Sequence, residues 1–136
     1  MPRIMGLNLL GVLLGSVAFY MVGFVWYGFL FADFWMAAEG YTEADFEGQS
    51  SVWMLGGLLI TVLQVIGLGL VLKWRGVSDL IGSVTTAFAL WFFFALPFVH
   101  YAYLYGPDHN AGLLMVDASH LLAGWVAAAI ALSFFD

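Results

Sequence analysis

Four long apolar stretches, approximately 6–31, 51–72, 78–105 and 111–135, dictate most of what this chain can become. Each reaches the roughly 20 residues that a helix rising 1.5 Å per residue needs to cross about 30 Å of hydrocarbon. A backbone inside a bilayer must satisfy its own hydrogen bonds, so crossing segments are helices or the strands of closed barrels. These stretches are too long and too continuous for barrel strands, which run about 10 residues and alternate in polarity. The expected fold is therefore all-α, an integral membrane bundle of four antiparallel transmembrane helices forming one domain over 1–136.

Composition supports this. Hydrophobic residues make up 64% of the 136 and charged residues only 9%, against about 25% charged in a soluble domain; mean hydropathy is +1.00. The absence of cysteine excludes disulfides, thiolate metal sites and cysteine nucleophiles. Three basic residues cannot neutralise a run of phosphates, so nucleic acid is excluded as a partner. The first stretch follows Arg3, but it far exceeds the roughly 7 to 15 apolar residues of a signal-peptide core, so it reads as a retained anchor.

Orientation follows from the basic residues. Arg3 precedes the first stretch, and Lys73 and Arg75 lie between the second and third, so all three share one side. The positive-inside rule makes that side cytoplasmic, with both termini there. The connection 32–50, outer in this orientation, carries Asp33, Glu39, Glu43, Asp45 and Glu47. Its signals predict two short interfacial helices, one capped by Asp33 and stopped by Gly40, the other capped by Thr42 and ending near Gly48. The brief connection from Lys73 to Val77 predicts that the second and third helices are antiparallel neighbours, and Ser78 and Asp79 mark the third helix's start. Gly106-Pro107-Asp108-His109-Asn110 reads as a turn. Trp26, Tyr27, Trp35, Trp53, Tyr101, Tyr103 and Tyr105 form an aromatic belt near the outer boundary, with Trp74 near the inner one.

In lipid, small residues and interhelical hydrogen bonds carry helix packing. At 100° per residue, Asp117, Gly124, Ala128 and Ala131 form one stripe of the fourth helix, with His120 and Ala127 at its edge and Met115, Leu122, Val126 and Ile130 opposite. The expected packing faces are Gly11, Gly15, Ala18 and Val22 on the first helix, and Gly57, Ile60, Gln64, Gly67 and Val71 on the second. Gly11-x-x-x-Gly15 reads as packing within the monomer ahead of a dimer seam. Gln64 is expected to make an interhelical hydrogen bond. Pro97 deprives the Phe93 carbonyl of its usual partner and predicts a kink from Phe93 to Pro97.

One polar cluster stands out. His100 lies late in the third helix, and Asp117 and His120 lie early in the fourth, all expected in the outer half of the membrane with Tyr27 and Tyr101 at similar depth. An ionisable residue in a span is costly and therefore a functional hypothesis. Three readings compete: a packing lock in which Asp117 fixes the rotation of the fourth helix; a proton or small-ligand site of Asp117, His120, His100, Tyr27 and Tyr101; and a metal site of His100, Asp117 and His120 with His109 as fourth ligand. No nucleophile motif, phosphate loop or paired carboxylates point to an enzyme, and no motif implies a cofactor.

Trp26-Tyr27-Gly28-Phe29-Leu30-Phe31, followed by Trp35-Met36 and Gly40, then Gly82 and Trp91, resemble a family of small four-span bacterial membrane proteins catalogued as domain of unknown function 1761, in which Asp117 falls where the family tends to have Asn or Asp and His120 where it tends to have an aromatic residue. The likeness spans nearly the whole chain and implies topology and bacterial origin, not an activity. Ala32-Asp33-Phe34 and Pro107-Asp108-His109-Asn110 depart from its pattern. The leading expectation is a compact helix-packing or accessory protein embedded in the lipid bilayer, oligomeric or attached to a larger complex. The alternative is a proton, metal or small-ligand binding or transport protein using the outer Asp/His cluster.

Overall fold

The computed structural model describes residues 2–135. Four helices in it are long and apolar enough to cross a membrane: Leu9–Leu30, Val52–Arg75, Leu80–Tyr105 and Ala111–Ser133, here the first to fourth spans. The end carrying the 32–50 connection is called the acidic end, and the end carrying Arg3, Lys73 and Arg75 the basic end.

Local chemistry sets the boundaries. Asn8, Asp79 and Asn110 each cap a span by accepting a backbone N–H with the side chain, at 2.9, 2.8 and 3.0 Å. The second span runs on through Lys73 to Arg75, whose charges suit a helix C-terminus, and ends at Gly76 with φ 68°. The connection to the third span is thus shorter than expected. Before the first span, Arg3–Ile4 pairs antiparallel with Leu7–Asn8 through Met5 and Gly6, both at positive φ. This is a hairpin with a two-residue turn, and its second strand falls within the stretch expected to belong to the first span.

In the acidic connection, Ala32–Glu39 is helical and stops at Gly40, φ 76°. Phe31, not Asp33, occupies the cap position, and Asp33 sits in the first turn, where it complements the helix dipole. Thr42 and Asp45 form a reciprocal capping box around the single 3₁₀ turn Glu43–Phe46.

The fourth span is the hub against which the other three pack, most extensively the first and third. Its small residues explain why. Gly124 receives the Phe19 ring, and Gly15 of the first span lies against the Ala128 backbone and Val65. Gly11 approaches Leu132 and Phe135, so Gly11-x-x-x-Gly15 serves the monomer's own seam. Val12, Phe19, Val65, Leu68, Leu72, Ala87, Ala128 and Ala129 form the core.

Two expectations about packing are corrected. The second span buries Thr61, Val65, Ile66, Leu68, Gly69 and Leu72; Ile60 and Gly67, placed on the packing face from sequence, are exposed, and a Cβ on Gly57 or Gly67 would meet nothing. Gly69 is the glycine used, accommodating Leu7 of the hairpin. The second and third spans also make little direct contact. A cleft of about 300 Å³ lies beside them, lined by Gly67, Val71, Leu90, Phe94, Gln64 and Trp125. Both spans instead spend their packing surface on other partners, chiefly the small-residue faces of the fourth and first.

Large apolar side chains cover the outside, among them Leu13, Val17, Phe24, Leu59, Leu63, Ile81, Phe93 and Met115, each more than half exposed. Such a surface is stable only in a bilayer, and this is a membrane protein.

Candidate functional site

Two wide helical turns frame the site. At Trp26–Leu30 and Trp91–Ala95 the first and third spans adopt π-helical winding, with Phe31 N–H bonding the Trp26 carbonyl and Leu96 N–H the Trp91 carbonyl. Such turns carry an extra residue and concentrate at functional positions. The second stands just ahead of Pro97 and is the form taken by the distortion expected there. Each begins with a tryptophan whose indole N–H donates to the fourth span: Trp26 to Ser119 Oγ at 3.0 Å and Trp91 to the Ala118 carbonyl at 2.8 Å. The first and third spans are thereby fastened to the fourth within one or two residues of Asp117.

Tyr27, inside the first wide turn, donates its hydroxyl to Asp117 Oδ1. Its ring meets the His120 ring edge-on at 5.0 Å and the Trp35 ring at 5.9 Å. Phe19 closes on His120 from one turn deeper at 5.7 Å. Gly23 makes this close approach possible, since a Cβ there would stand 3.2 Å from His120 Nε2. Asp117, Tyr27 and His120 therefore form one contiguous group, each half-buried.

A cavity opens on each side of this group. Towards the acidic end, a vestibule of about 190 Å³ is lined by Glu39, Tyr103, Asp108, His109 and Asn110 and reaches Asp117. Towards the second span, a larger cavity of about 690 Å³ is lined by Phe19, Phe24, Tyr27, Trp35, Gln64 and His120. Asp117 borders only the first and His120 only the second. Tyr27 joins them, its hydroxyl on the carboxylate and its ring in the larger cavity.

The remaining sequence-derived candidates lie apart from this group. The third span turns Val99, Ala102, Tyr103 and Gly106 towards the vestibule, which puts His100 on the flank and Tyr101 on the opposite side at 100° per residue. Accordingly His100 Nδ1 pairs with the Leu96 carbonyl at 2.6 Å, and Tyr101 is 62% exposed and stacked on Tyr105. His109 borders the vestibule, with Nδ1 on the Tyr103 carbonyl at 2.8 Å. Among the described residues no three His, Asp or Glu side chains are grouped to hold a metal ion.

Gln64 contributes in two ways. It fixes the fourth span by accepting the Trp125 indole N–H at 2.9 Å and also lines the larger cavity. Sequence reasoning missed Glu39, Trp35, Phe19 and Gly23 as site residues. Trp35 and Gly40 in the acidic connection were the available signal, because they fix a helix that folds back over the site.

Residues 10–133 match the family described as Protein of unknown function (DUF1761). The chain belongs to that family. Neither the curated proteins nor the solved structures include a match. Family membership assigns no molecular function, so the functional reading rests on the geometry of the Tyr27, Asp117 and His120 group.

Proposed function

We propose that this chain is a binding protein of the bacterial inner membrane, with both termini cytoplasmic, that takes a small ligand or a proton at Asp117 from the outer aqueous side. The observation that carries the reading is the vestibule: a carboxylate within a span is reached by a polar cavity whose rim holds Glu39, Asp108 and Asn110. A residue kept only as a packing lock needs no such access, and an ionisable group in a span that lines a wet cavity is the usual mark of a ligand or ion path. Tyr27 holds Asp117 in place, and His120 stands on the far side of the same tyrosine as a second group able to accept or release a proton. Orientation rests on Arg3, Lys73 and Arg75 sharing the opposite end.

The accessory-protein reading draws on the three indole bonds and the Tyr27–Asp117 pair, which fasten the fourth span at several levels. Those bonds serve equally to hold a binding site rigid.

The lack of native cysteine makes the test clean. Leu114→Cys, on the vestibule wall, and Asp117→Cys should both react with a membrane-impermeant maleimide added outside intact cells, whereas Leu132→Cys, buried in the core, should not. Protection of Leu114→Cys and Asp117→Cys until detergent is added would dispose of the binding reading.

A further inference from the structure

The acidic half of the second span leans away from its neighbours. From Val52 to Ile60 every residue except Gly57 is exposed, and the first buried residue is Thr61. The gap that this leaves between the first, second and fourth spans is the 690 Å³ cavity, which falls within the usual size of small-molecule sites, about 300 to 1,000 Å³. Met54, Ile60 and Phe24, all more than half exposed, line it. Its mouth therefore faces the side of the bundle, where the surrounding medium is hydrocarbon, and not the aqueous end.

The interior of this cavity is aromatic, and a carboxylate, Asp117, stands just behind its Tyr27 wall. Phe19 and Tyr27 converge on His120, and Trp35 meets Tyr27, with ring centroids 5.0 to 5.9 Å apart. The Tyr27 ring forms part of the wall while its hydroxyl is bonded to Asp117. No Lys or Arg stands at this end: Arg3, Lys73 and Arg75 are all at the other, while Asp33, Glu39, Glu43, Asp45, Glu47 and Asp108 border this one. An anionic headgroup entering the cavity would meet no counter-charge. A cation would meet aromatic faces, whose quadrupoles attract it, and the summed field of the acidic end.

We propose that the lateral cavity is a binding site for a lipophilic cation, an apolar or aromatic body bearing one diffuse positive charge, that enters from the outer leaflet and is balanced by Asp117 across Tyr27. This rests on the binding reading above, names a ligand class for it, and adds a lateral entry beside the aqueous vestibule. The phenyl rings of such a ligand match the aromatic wall, and the charge matches the carboxylate. His120 then lies beside the ligand as a group whose protonation would compete with it for the same negative field.

The test uses two ions of nearly equal size and shape but opposite charge, tetraphenylphosphonium and tetraphenylborate. Binding is measured by equilibrium dialysis on the purified full chain in nanodiscs of uncharged phosphatidylcholine, against empty nanodiscs. The expected result is saturable binding of tetraphenylphosphonium at about one per chain and none of tetraphenylborate. Asp117→Asn should weaken that binding at least tenfold, and Ile60→Trp, which narrows the mouth without touching the carboxylate, should do the same. Equal binding of both ions, or saturable binding of neither, overturns the proposal. So does binding that survives both substitutions. Cysteine labelling in the vestibule reads Asp117 access independently: labelling without cation binding defeats this inference alone, and absent labelling defeats the function reading beneath it.

Discussion

Gly124→Ala tests the packing on which the site depends. A Cβ at this position would fall well inside van der Waals contact with Cδ1 and Cε1 of Phe19, where carbon pairs prefer about 3.5 to 4.0 Å. Phe19 is only 3% exposed and lies against His120, so its ring has little room to swing aside. Forcing a methyl into such a contact costs about 1 to 3 kcal/mol. Phe19→Leu alone should cost about 1 to 2 kcal/mol through the space it leaves. Because that space is where the new methyl goes, the double variant should be less destabilised than the sum of the two by about 1 kcal/mol or more. The assay is reversible unfolding by dodecyl sulfate titration in mixed micelles, followed by helical circular dichroism. A Gly124→Ala cost below about 0.5 kcal/mol, or strict additivity within the usual error of about 0.3 to 0.5 kcal/mol, would refute the proposed contact.

Tyr27→Phe removes the only side-chain partner of Asp117 among the described residues, and the same titration should record a loss of about 1 to 2 kcal/mol. Gly23→Ala places a methyl 3.2 Å from His120 Nε2 and should weaken tetraphenylphosphonium binding severalfold while leaving Leu114→Cys labelling intact; unchanged affinity would remove His120 from the site. Asp79→Ala deletes the cap of the third span and should cost about 1 kcal/mol, read as earlier amide exchange in its first turn. Trp125→Phe breaks the bond to Gln64 and should cost about 0.6 to 1.7 kcal/mol, with Gln64→Leu non-additive against it.

The spans were legible because crossing a bilayer demands long apolar runs, and their ends were marked by residues with a mechanical reason to be there. Asp79 starts the third span and Gly40 stops the short helix after the first, as their chemistry signals, while the cap at Asn110 and the stop at Gly76 came from the structure. Faces were harder to read. In water a helix announces its buried side by being apolar there, but in lipid both sides are apolar and only small residues discriminate. That cue worked for Gly11, Gly15, Gly124 and Ala128. It failed for the second span, where Gly57 and Gly67 pack against nothing and Gly69 does the work. Of the candidate group, Asp117, His120 and Tyr27 come together, while His100 and Tyr101 turn away because the third span presents a face displaced from them. The wide turns left no cue at Trp26 beyond an aromatic run, although Pro97 pointed to the other.

Those turns carry an implication for length. A π turn is an ordinary helix with one residue too many, and excising that residue restores regular winding. Everything beyond the cut would then slide by about 1.5 Å and rotate by about 100°. Shortening the first span by Gly28 alone would swing the following segment, Trp35 included, off its present bearing, while Leu9–Val25 stayed as it is. The surplus residue thus sets the angle at which the aromatic lining is aimed, and the fit of the pocket is written partly in the arithmetic of the backbone.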